Sequence, residues 1–209
     1  MPPDRPYHHG HLRQAILAAA VDALTESGPG RLSLRELARR AGVSHAAPAH
    51  HFGDKAGLLT AVAAQGYDLL ADTLSAAQRG GDFLDVGVAY VAFAVKHRAH
   101  FEVMFRPELY HPDDPAVVAA RHRAAEALYG GVGTVAATRR GPNIPLAGTA
   151  AWCLVHGFAT LWLSHALPPN LGDDPQTAAR NVAAILFRTP ERPVTPSLRF
   201  GAAARPPLL

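Results

Sequence analysis

Apolar residues recur every three or four positions near the start of the chain, which is the spacing of one face of an α-helix. The first series is Leu12, Ile16, Ala20 and Leu24. Residues 27–30 read Ser-Gly-Pro-Gly and predict the end of this helix, because glycine and proline both interrupt helical hydrogen bonding.

Three more helices are predicted before residue 81. The second begins at Ser33, where Ser-Leu-Arg-Glu has the form of a capping box with Glu36 reaching back, and it ends at Gly42. The third is only about two turns long, and we expect Ser44 to cap it. Asp54 can open the fourth helix, whose apolar series continues toward residue 78.

The rest of the chain also has helical periodicity. Helices are predicted at roughly 82–98, 100–106, 114–138, 145–166 and 175–188, with prolines between them. No sustained alternation of β-branched or aromatic residues with polar ones predicts a strand. The sequence therefore indicates an all-α protein with a flexible arm over 1–10, a three-helix helix–turn–helix domain over 11–57, a helical domain over 58–190 and a disordered tail over 191–209.

Composition and charge narrow the function only slightly. The 209 residues carry a formal net charge of +3, with +2 in residues 1–55, −2 in residues 56–187 and +3 in residues 188–209. This basic bias is weaker than that of a polybasic arm. Histidine, glycine, aspartate or arginine interrupts each apolar run, so we expect no membrane span or secretion signal. The single cysteine, Cys153, fits a reducing compartment, and we expect a cytoplasmic protein.

The third helix has the composition of a helix that enters the major groove of DNA. In a helix–turn–helix unit the second helix of the pair lies in that groove, and small side chains let it approach the base edges closely. Ala46, Ala47 and Ala49 would permit this approach, and Ser44 and the neighbouring histidines can donate hydrogen bonds to phosphates or bases. Lys55 opens the next helix, where backbone N–H groups suit a phosphate.

Residues 12–70 closely resemble the DNA-binding domain of TetR-family transcriptional regulators. The matching segments are Leu-Ser-Leu-Arg-Glu-Leu-Ala at 32–38, Ala-Gly-Val-Ser at 41–44, His-Phe-Gly-Asp-Lys at 51–55 and Leu-Leu at 58–59. Their order and spacing carry the resemblance, because each segment alone is unspecific. The DNA-contacting residues are therefore expected to be His8, His9, Ser33, Arg35, Ser44, His45, Ala46, Ala47, Ala49, His50, His51 and Lys55.

The second half resembles the same family more loosely. Trp152, His156 and Gly157 have the spacing of a Trp-xxx-His-Gly signature found in one C-terminal ligand-binding domain of these regulators. The resemblance implies a homodimer that binds a double-stranded DNA operator and is released by a small apolar or amphipathic ligand, with no cofactor. It implies ligand-pocket residues Phe93, Phe101, Met104, Phe105, Trp152 and His156, and dimer-interface residues Trp152, Phe158, Trp162 and Leu186.

The chain departs from the family at one position. Family members usually carry a tyrosine just before the His-Phe pair or one residue upstream, where it contacts the DNA backbone. Ala49 and His50 occupy those positions here. Loss of this contact should weaken operator binding or transfer the contact to His50 or to the N-terminal histidines.

Other chemistry remains open from the sequence alone. His8, His9 and His11, or His97 and His100 with His111, could bind a metal, since imidazole suits zinc, copper and nickel. The simpler interpretations are contact with the DNA backbone or a solvated arm for the first set, and interaction with the dipole at a helix C-terminus for the second, so we assign no metal site. Cys153 and His156 share a helical face, but no residue that would orient a catalytic base is evident. Two alternatives to a specific regulator are an enzyme that shares the helical C-terminal domain and a DNA-binding protein without sequence choice.

Overall fold

The computed structural model describes residues 7–130 and 144–187, with side chains over 11–130 and 146–185. Within those residues the protein is entirely helical, as the sequence predicts. The described helices are α1 (Tyr7–Ser27), α2 (Leu34–Arg40), α3 (Ala47–Phe52), α4 (Lys55–Gly80), α5 (Phe83–Lys96), α6 (Arg98–Met104), α7 (Pro115–Tyr129), α8 (Ile144–Leu163) and α9 (Pro175–Phe187).

The first three helices form a small bundle against the start of α4. Ile16 on α1, Leu37 on α2 and Leu58 on α4 are completely buried in one shared core. Gly28 ends α1 with a φ of 70°, a left-handed conformation that glycine adopts without a Cβ penalty. The bundle therefore holds α3 at the surface through apolar contacts of α1, α2 and α4.

The long helix α4 joins this bundle to the C-terminal helices. It packs along α7, and also against α5 and α6. Gly66 allows α6 to approach closely, because a Cβ built there would lie 2.5 Å from Met104 Sδ and 3.0 Å from His100 Cβ. The Thr60 hydroxyl accepts a hydrogen bond from the His111 backbone N–H at 3.0 Å. The segment between α6 and α7 is thus in direct contact with α4, the helix that begins beside α3.

The C-terminal core lies around α5. Tyr90, Val91 and Phe93 on this helix are buried, and α8 and α9 cover its other sides. Asp82 and Asp85 form a reciprocal capping box at its N-terminus, with N–H to carboxylate distances of 3.0 and 2.9 Å. Proline begins both α7 and α9, as the segmentation by prolines predicts.

Several helix boundaries differ from the sequence prediction. Helix α1 already includes residues 7–10 of the expected arm. Helix α7 ends at Tyr129, and the rest of the predicted 114–138 helix lies largely outside the described residues, as does the tail over 191–209. Helix α8 ends at Leu163 instead of residue 166, where His165 adopts a φ of 55° and its N–H bonds the Trp162 carbonyl.

The predicted capping box of α2 is wrong, although Ser33 does occupy the N-cap position. The Ser33 side chain accepts no capping hydrogen bond, while its carbonyl accepts one from the Leu37 N–H at 3.0 Å. The Glu36 carboxylate is held instead by the guanidinium groups of Arg39 and Arg40, at 2.6 and 3.1 Å. These charge-assisted bonds lower the pKa of Glu36 to about 2 and replace the bond back to the cap.

Candidate DNA-binding surface and ligand cavity

The turn between α2 and α3 depends on Gly42. Its φ of 65° lies in the left-handed region, and it lets the Val43 N–H turn back to the Ala38 carbonyl at 2.9 Å. The chain then reverses direction and presents α3 beside α2. This is the helix–turn–helix arrangement that the sequence predicts.

Helix α3 begins later than the sequence predicts. Its first residue is Ala47, and Ser44 is in the preceding turn, where its carbonyl accepts from the Ala47 N–H at 3.0 Å. A helix beginning at Ser44 would require an N–H at position 48 to bond the Ser44 carbonyl, and Pro48 has none. The first intrahelical bond runs instead from the His50 N–H to the Ala46 carbonyl at 2.9 Å.

Most of the expected base-contacting residues form one exposed strip across this turn and helix. Exposed side chains belong to Ser44, His45, Ala46, Ala49 and His50. Contrary to the prediction that Ala47 faces the DNA, its side chain is only 9% exposed. It packs inward together with Pro48, and the two residues anchor the first turn of α3 to the core. Close approach to a groove therefore depends on Ala46 and Ala49.

Two positively charged side chains flank this strip, one before α3 and one after it. Arg35 on α2 is exposed and makes no ion pair with the part of the chain that the structure describes. The ammonium group of Lys55, at the start of α4, lies 3.4 Å from the Gly30 carbonyl and stays half-exposed. Both charged groups are accessible to solvent, and Ser33 is exposed close to Arg35 in the chain.

The C-terminal end of α3 is fixed against α1 and α4. Phe52 packs on the core, and the Arg13 guanidinium lies 4.9 Å from its ring centroid. The Asp54 carboxylate accepts the Gly57 N–H at 2.8 Å, which confirms Asp54 as the cap of α4. His51 is half-buried, with its ring 6.4 Å from that of Phe52. His8 and His9 belong to the first turn of α1, but their side chains lie outside the described set.

A cavity of about 320 Å³ lies between α4, α5, α6, α7 and α8. Its lining is aromatic and aliphatic with a single charged residue among those described, which is typical of sites for small organic ligands. The hydroxyls of Tyr67 and Tyr110 both donate to the Met104 carbonyl, at 3.0 and 2.9 Å. The lining residues are Tyr67, Leu70, Tyr90, Met104, Phe105, Pro107, Tyr110, Arg121, Ala124, Ala125, Leu128, Tyr129 and Trp152.

Tyr90 joins this cavity to the Trp-xxx-His-Gly signature. Its hydroxyl accepts the Trp152 indole N–H at 3.2 Å and lies 3.0 Å from His156 Nδ1. The Phe105 ring packs edge-on against His156, with centroids 4.4 Å apart. The signature therefore positions an aromatic wall, because both of its polar side chains bond one buried tyrosine.

Burial keeps this wall uncharged. Desolvation raises the pKa of Tyr67 and Tyr90 above the usual tyrosine range and lowers the pKa of His156. These side chains thus stay neutral near neutral pH.

The expected pocket residues divide between two cavities. Met104, Phe105 and Trp152 line the first. Phe101 and His156 line a second cavity of about 380 Å³ together with Phe105, Arg98, Glu102 and Arg106. Phe93 lines neither cavity, because its ring is buried against that of His97, with centroids 5.2 Å apart, and its place is in the core.

Helix α8 exposes an apolar strip that runs along its length. Leu146 is 66% exposed and Leu161 is 45% exposed, and Cys153 is exposed between them. On the adjoining helix α9, Ile185 is 81% exposed. Exposure of several large apolar side chains on neighbouring helices indicates a surface that another molecule covers.

The expected dimer residues lie mostly behind this strip. Trp152 faces the cavity and Phe158 is 6% exposed in the core, stacked on a half-buried Trp162 at a centroid distance of 5.8 Å. The expected residues and the exposed strip lie on the same helix, α8, but their side chains point in different directions around its axis. The Leu186 side chain lies outside the described set.

The same strip qualifies α8 as long and apolar enough to cross a membrane. Residues 146–163 have a mean hydropathy of 1.4, and 28% of them are buried inside the protein. His156 and two glycines interrupt the apolar run without lowering its mean hydropathy further, and the sequence expectation of no membrane span stays a prediction. One such helix is weak evidence for a membrane span, since a core helix of a soluble protein can have the same length and composition.

Neither a metal site nor a Cys–His catalytic pair is assembled among the described residues. No group of three histidine, cysteine, aspartate or glutamate side chains there is arranged to hold a metal. His100 is buried with Nε2 at 2.9 Å from Gln65 Oε1, and its other ring nitrogen has no hydrogen-bond partner. Cys153 is exposed, while His156 bonds Tyr90, so the two do not form a hydrogen-bonded pair.

Sequence reasoning missed Tyr67, Tyr90, Tyr110 and Arg121 in the cavity. Tyr67 and Tyr90 share helix faces with apolar core residues, and this was the available signal, since a buried tyrosine needs a partner for its hydroxyl. Tyr110 lies in the loop between α6 and α7, where no helical face identifies it. Arg121 gave no such signal, because only the packing of α7 against α4 brings it to the cavity.

Comparison with known proteins agrees with this architecture. Residues 16–62 match the tetR family of bacterial regulatory proteins, and residues 83–186 match the tetracyclin repressor-like C-terminal domain. The second match contains the Trp-xxx-His-Gly signature. Comparison with curated proteins finds no match.

Solved structures with a similar fold cover most of the chain. A protein of unknown function from Rhodococcus sp. RHA1 is 34% identical with a TM-score of 0.73, covering 88% of this chain and 97% of that one. PfmR, a TetR family transcriptional regulator from Thermus thermophilus, is 24% identical with a TM-score of 0.65, covering 85% and 99%. A tetR-family transcriptional regulator from Streptomyces coelicolor is 24% identical with a TM-score of 0.62, covering 85% and 80%.

The similarity to the last two structures is one of fold alone. The two family matches identify the DNA-binding and C-terminal domains within that fold. An exposed third helix follows a glycine turn at one end, and an aromatic cavity lies among helices at the other. This chain belongs to the TetR family of DNA-binding transcriptional regulators.

Proposed function

We propose that this protein is a repressor that binds an inverted-repeat operator as a homodimer and is released by a small ligand. The observation that carries the proposal is the exposed strip of Ser44, His45, Ala46, Ala49 and His50 on a helix whose other side is anchored in the core. TetR-family regulators bind operators and act as dimers. We place the protein in the cytoplasm, where its DNA target lies.

The α8–α9 surface is the proposed dimer interface. In an isolated subunit, the large apolar side chains of Leu146, Leu161 and Ile185 are exposed to water. A second copy would bury them, and burial stabilises the dimer by about 25 cal/mol per Å² of apolar area. A two-fold axis applies the same patch on both subunits. The expected interface residues Phe158 and Trp162 then support this surface from behind.

In the dimer, each α3 would enter a major groove. Two such helices read half-sites about 34–36 Å apart, one turn of the duplex, so the operator would be an inverted repeat. Ala46 and Ala49 would meet the base edges, and His45 and His50 would donate to bases or phosphates. Exposed His50 occupies one of the two positions at which the family usually carries the tyrosine, and it is the residue best placed to take over that contact.

Ligand binding would be coupled to DNA through α4. This helix begins at the Asp54 cap, beside α3, and forms one wall of the cavity with Tyr67 and Leu70. A ligand shifts the protein between two head spacings only by the difference in its affinities for them. We expect a coupling free energy of about 1–3 kcal/mol, the usual range for two linked sites.

The test begins with selection of binding sequences from a random DNA library, followed by titration of the selected site and of a scrambled duplex. An inverted repeat should emerge, and its affinity should fall steeply with salt because bound phosphates release counterions. His50→Ala should weaken binding about tenfold, the loss expected for one good base or phosphate contact. The matched control is His122→Ala, which changes an exposed histidine on α7.

Three results would contradict the proposal. They are equal affinity for selected and scrambled DNA, binding that does not respond to salt, and equal losses in the His50 and His122 variants. The first of these would instead support DNA binding without sequence choice.

A further inference from the structure

The 320 Å³ cavity carries an uneven distribution of charge. Among the described residues that line it, none is an aspartate or glutamate, and Arg121 is the one cation. The tyrosines and Trp152 supply polar atoms without formal charge. The electrostatic preference of the cavity therefore depends on one guanidinium group.

Of the five neutral polar side chains in the cavity, all except Tyr129 have hydrogen-bond partners among the described residues. Tyr67 and Tyr110 direct their hydroxyl protons to the Met104 carbonyl, and the Trp152 N–H is used by Tyr90. A ligand would find few free donors among them. Burial also opposes ionisation of Tyr67 and Tyr90, as their raised pKa values show.

Arg121 differs from these groups because its donors are free. It is exposed on α7 and makes no hydrogen bond or ion pair with another described residue. Two positions along the helix, Arg123 forms an ion pair with Asp68 on α4 and so has a structural partner. Arg121 lines the cavity from α7, opposite Tyr67 on α4 in the same lining.

We propose that the cavity selects a small organic acid, with an aromatic or other apolar body between Phe105, Tyr90 and Trp152 and a carboxylate paired with Arg121. The inference rests on the proposed function in that this ligand would be the releasing effector. A guanidinium presents parallel N–H donors that match the two oxygens of a carboxylate. An amine of the same shape would be repelled, and a neutral analogue would gain no ion pair.

Volume limits the acid to a small molecule. The cavity volume is about 320 Å³. It lies at the lower end of the range for small-molecule sites. A bicyclic aromatic acid is thus a suitable probe.

The experiment compares three probes that share one ring system. They are 1-naphthaleneacetate, its neutral amide 1-naphthaleneacetamide and the cation 1-naphthylmethylamine, each titrated calorimetrically into the full-length protein near neutral pH. We expect the acid to bind about tenfold more tightly than the amide, as for one charge-assisted pair, and the amine to bind most weakly.

Variants separate the ion pair from general packing. Arg121→Gln should reduce the preference for acid over amide to less than about twofold, and Arg121→Lys should retain part of it, since an ammonium keeps the charge without the fork. Arg79→Gln is the control, because it removes one positive charge from α4 at a residue that does not line the cavity. It should keep the full preference.

Opposite results would overturn the inference. These are tighter binding of the amide or amine, no binding of any probe, or an acid preference that survives Arg121→Gln. A separate titration asks whether the acid releases bound DNA. Binding in the expected order without DNA release would contradict the proposed ligand-released repressor while leaving the inferred ligand class intact.

Discussion

Replacing Gly57 with alanine should distort the contact between α3 and α4. Gly57 lies in the first turn of α4, and a Cβ built there would be 2.0 Å from the Phe52 carbonyl oxygen at the end of α3. That oxygen is backbone, so no rotamer change can relieve the overlap. Either α3 must move away from α4, or the first turn of α4 must unwind.

The size of the effect follows from three opposing contributions. Overpacking in a fixed environment costs typically about 1–3 kcal/mol. Unwinding the turn would also break the bond from the Gly57 N–H to Asp54, and loss of a helix cap costs about 1 kcal/mol. Alanine offsets about 1 kcal/mol through its higher helix propensity. We expect a net loss of about 2 kcal/mol, which lowers Tm by roughly 4–8 °C in a domain of this size.

Calorimetry and DNA titration test this prediction together. Gly80→Ala is the matched control, since a Cβ at Gly80 meets nothing within 4 Å and α4 ends there. At a temperature where both variants are folded, Gly57→Ala should bind selected DNA more weakly than Gly80→Ala. A Tm for Gly57→Ala equal to or above that of the control would refute the packing argument.

Three further predictions concern the C-terminal half. Tyr90→Phe should destabilise the protein by about 1–3 kcal/mol in urea unfolding, because the partners Trp152 and His156 lose their buried acceptor and contact, and unchanged stability would contradict that role. Burial lowers the pKa of His100 in the folded protein to about 4, whereas in the unfolded chain this histidine takes up a proton near pH 6.5. The free energy of unfolding should therefore fall by up to about 3 kcal/mol as the pH drops from about 6.5 to 4. His100→Gln should flatten this pH dependence, and an equally steep curve in the variant would assign it elsewhere. A bismaleimide should cross-link two copies through the single Cys153, and failure to cross-link a protein that sediments as a dimer would place the interface away from the α8 strip.

The DNA-binding half could largely be anticipated from local signals. Gly42 and Asp54 act within a few residues of their own positions, so their roles as turn and cap were predictable. Ser44 and Ala47 were misassigned because the start of α3 depends on the missing N–H of Pro48. Glu36 was misassigned because two arginines compete with the cap for its carboxylate.

The cavity was less predictable because it is assembled from five helices far apart in the chain. Met104, Phe105 and Trp152 were identified through family resemblance, whereas Arg121 reaches the cavity only through the packing of α7. Phe93 is an aromatic side chain equally suited to a pocket, yet it is buried in the core, and its ring packs against that of His97 one turn later.

The sequence by itself determined the helical periodicity, the breaks between helices and the helix–turn–helix motif, since each depends on residues within one or two turns of each other. Tertiary structure alone decided which side of each helix meets solvent. It directed Ala47 and Phe158 inward, left Leu146 and Ile185 exposed, and placed one unpaired arginine at an aromatic cavity. The physical reason is that periodicity defines a face, whereas the partner of that face is chosen by long-range packing of the whole chain.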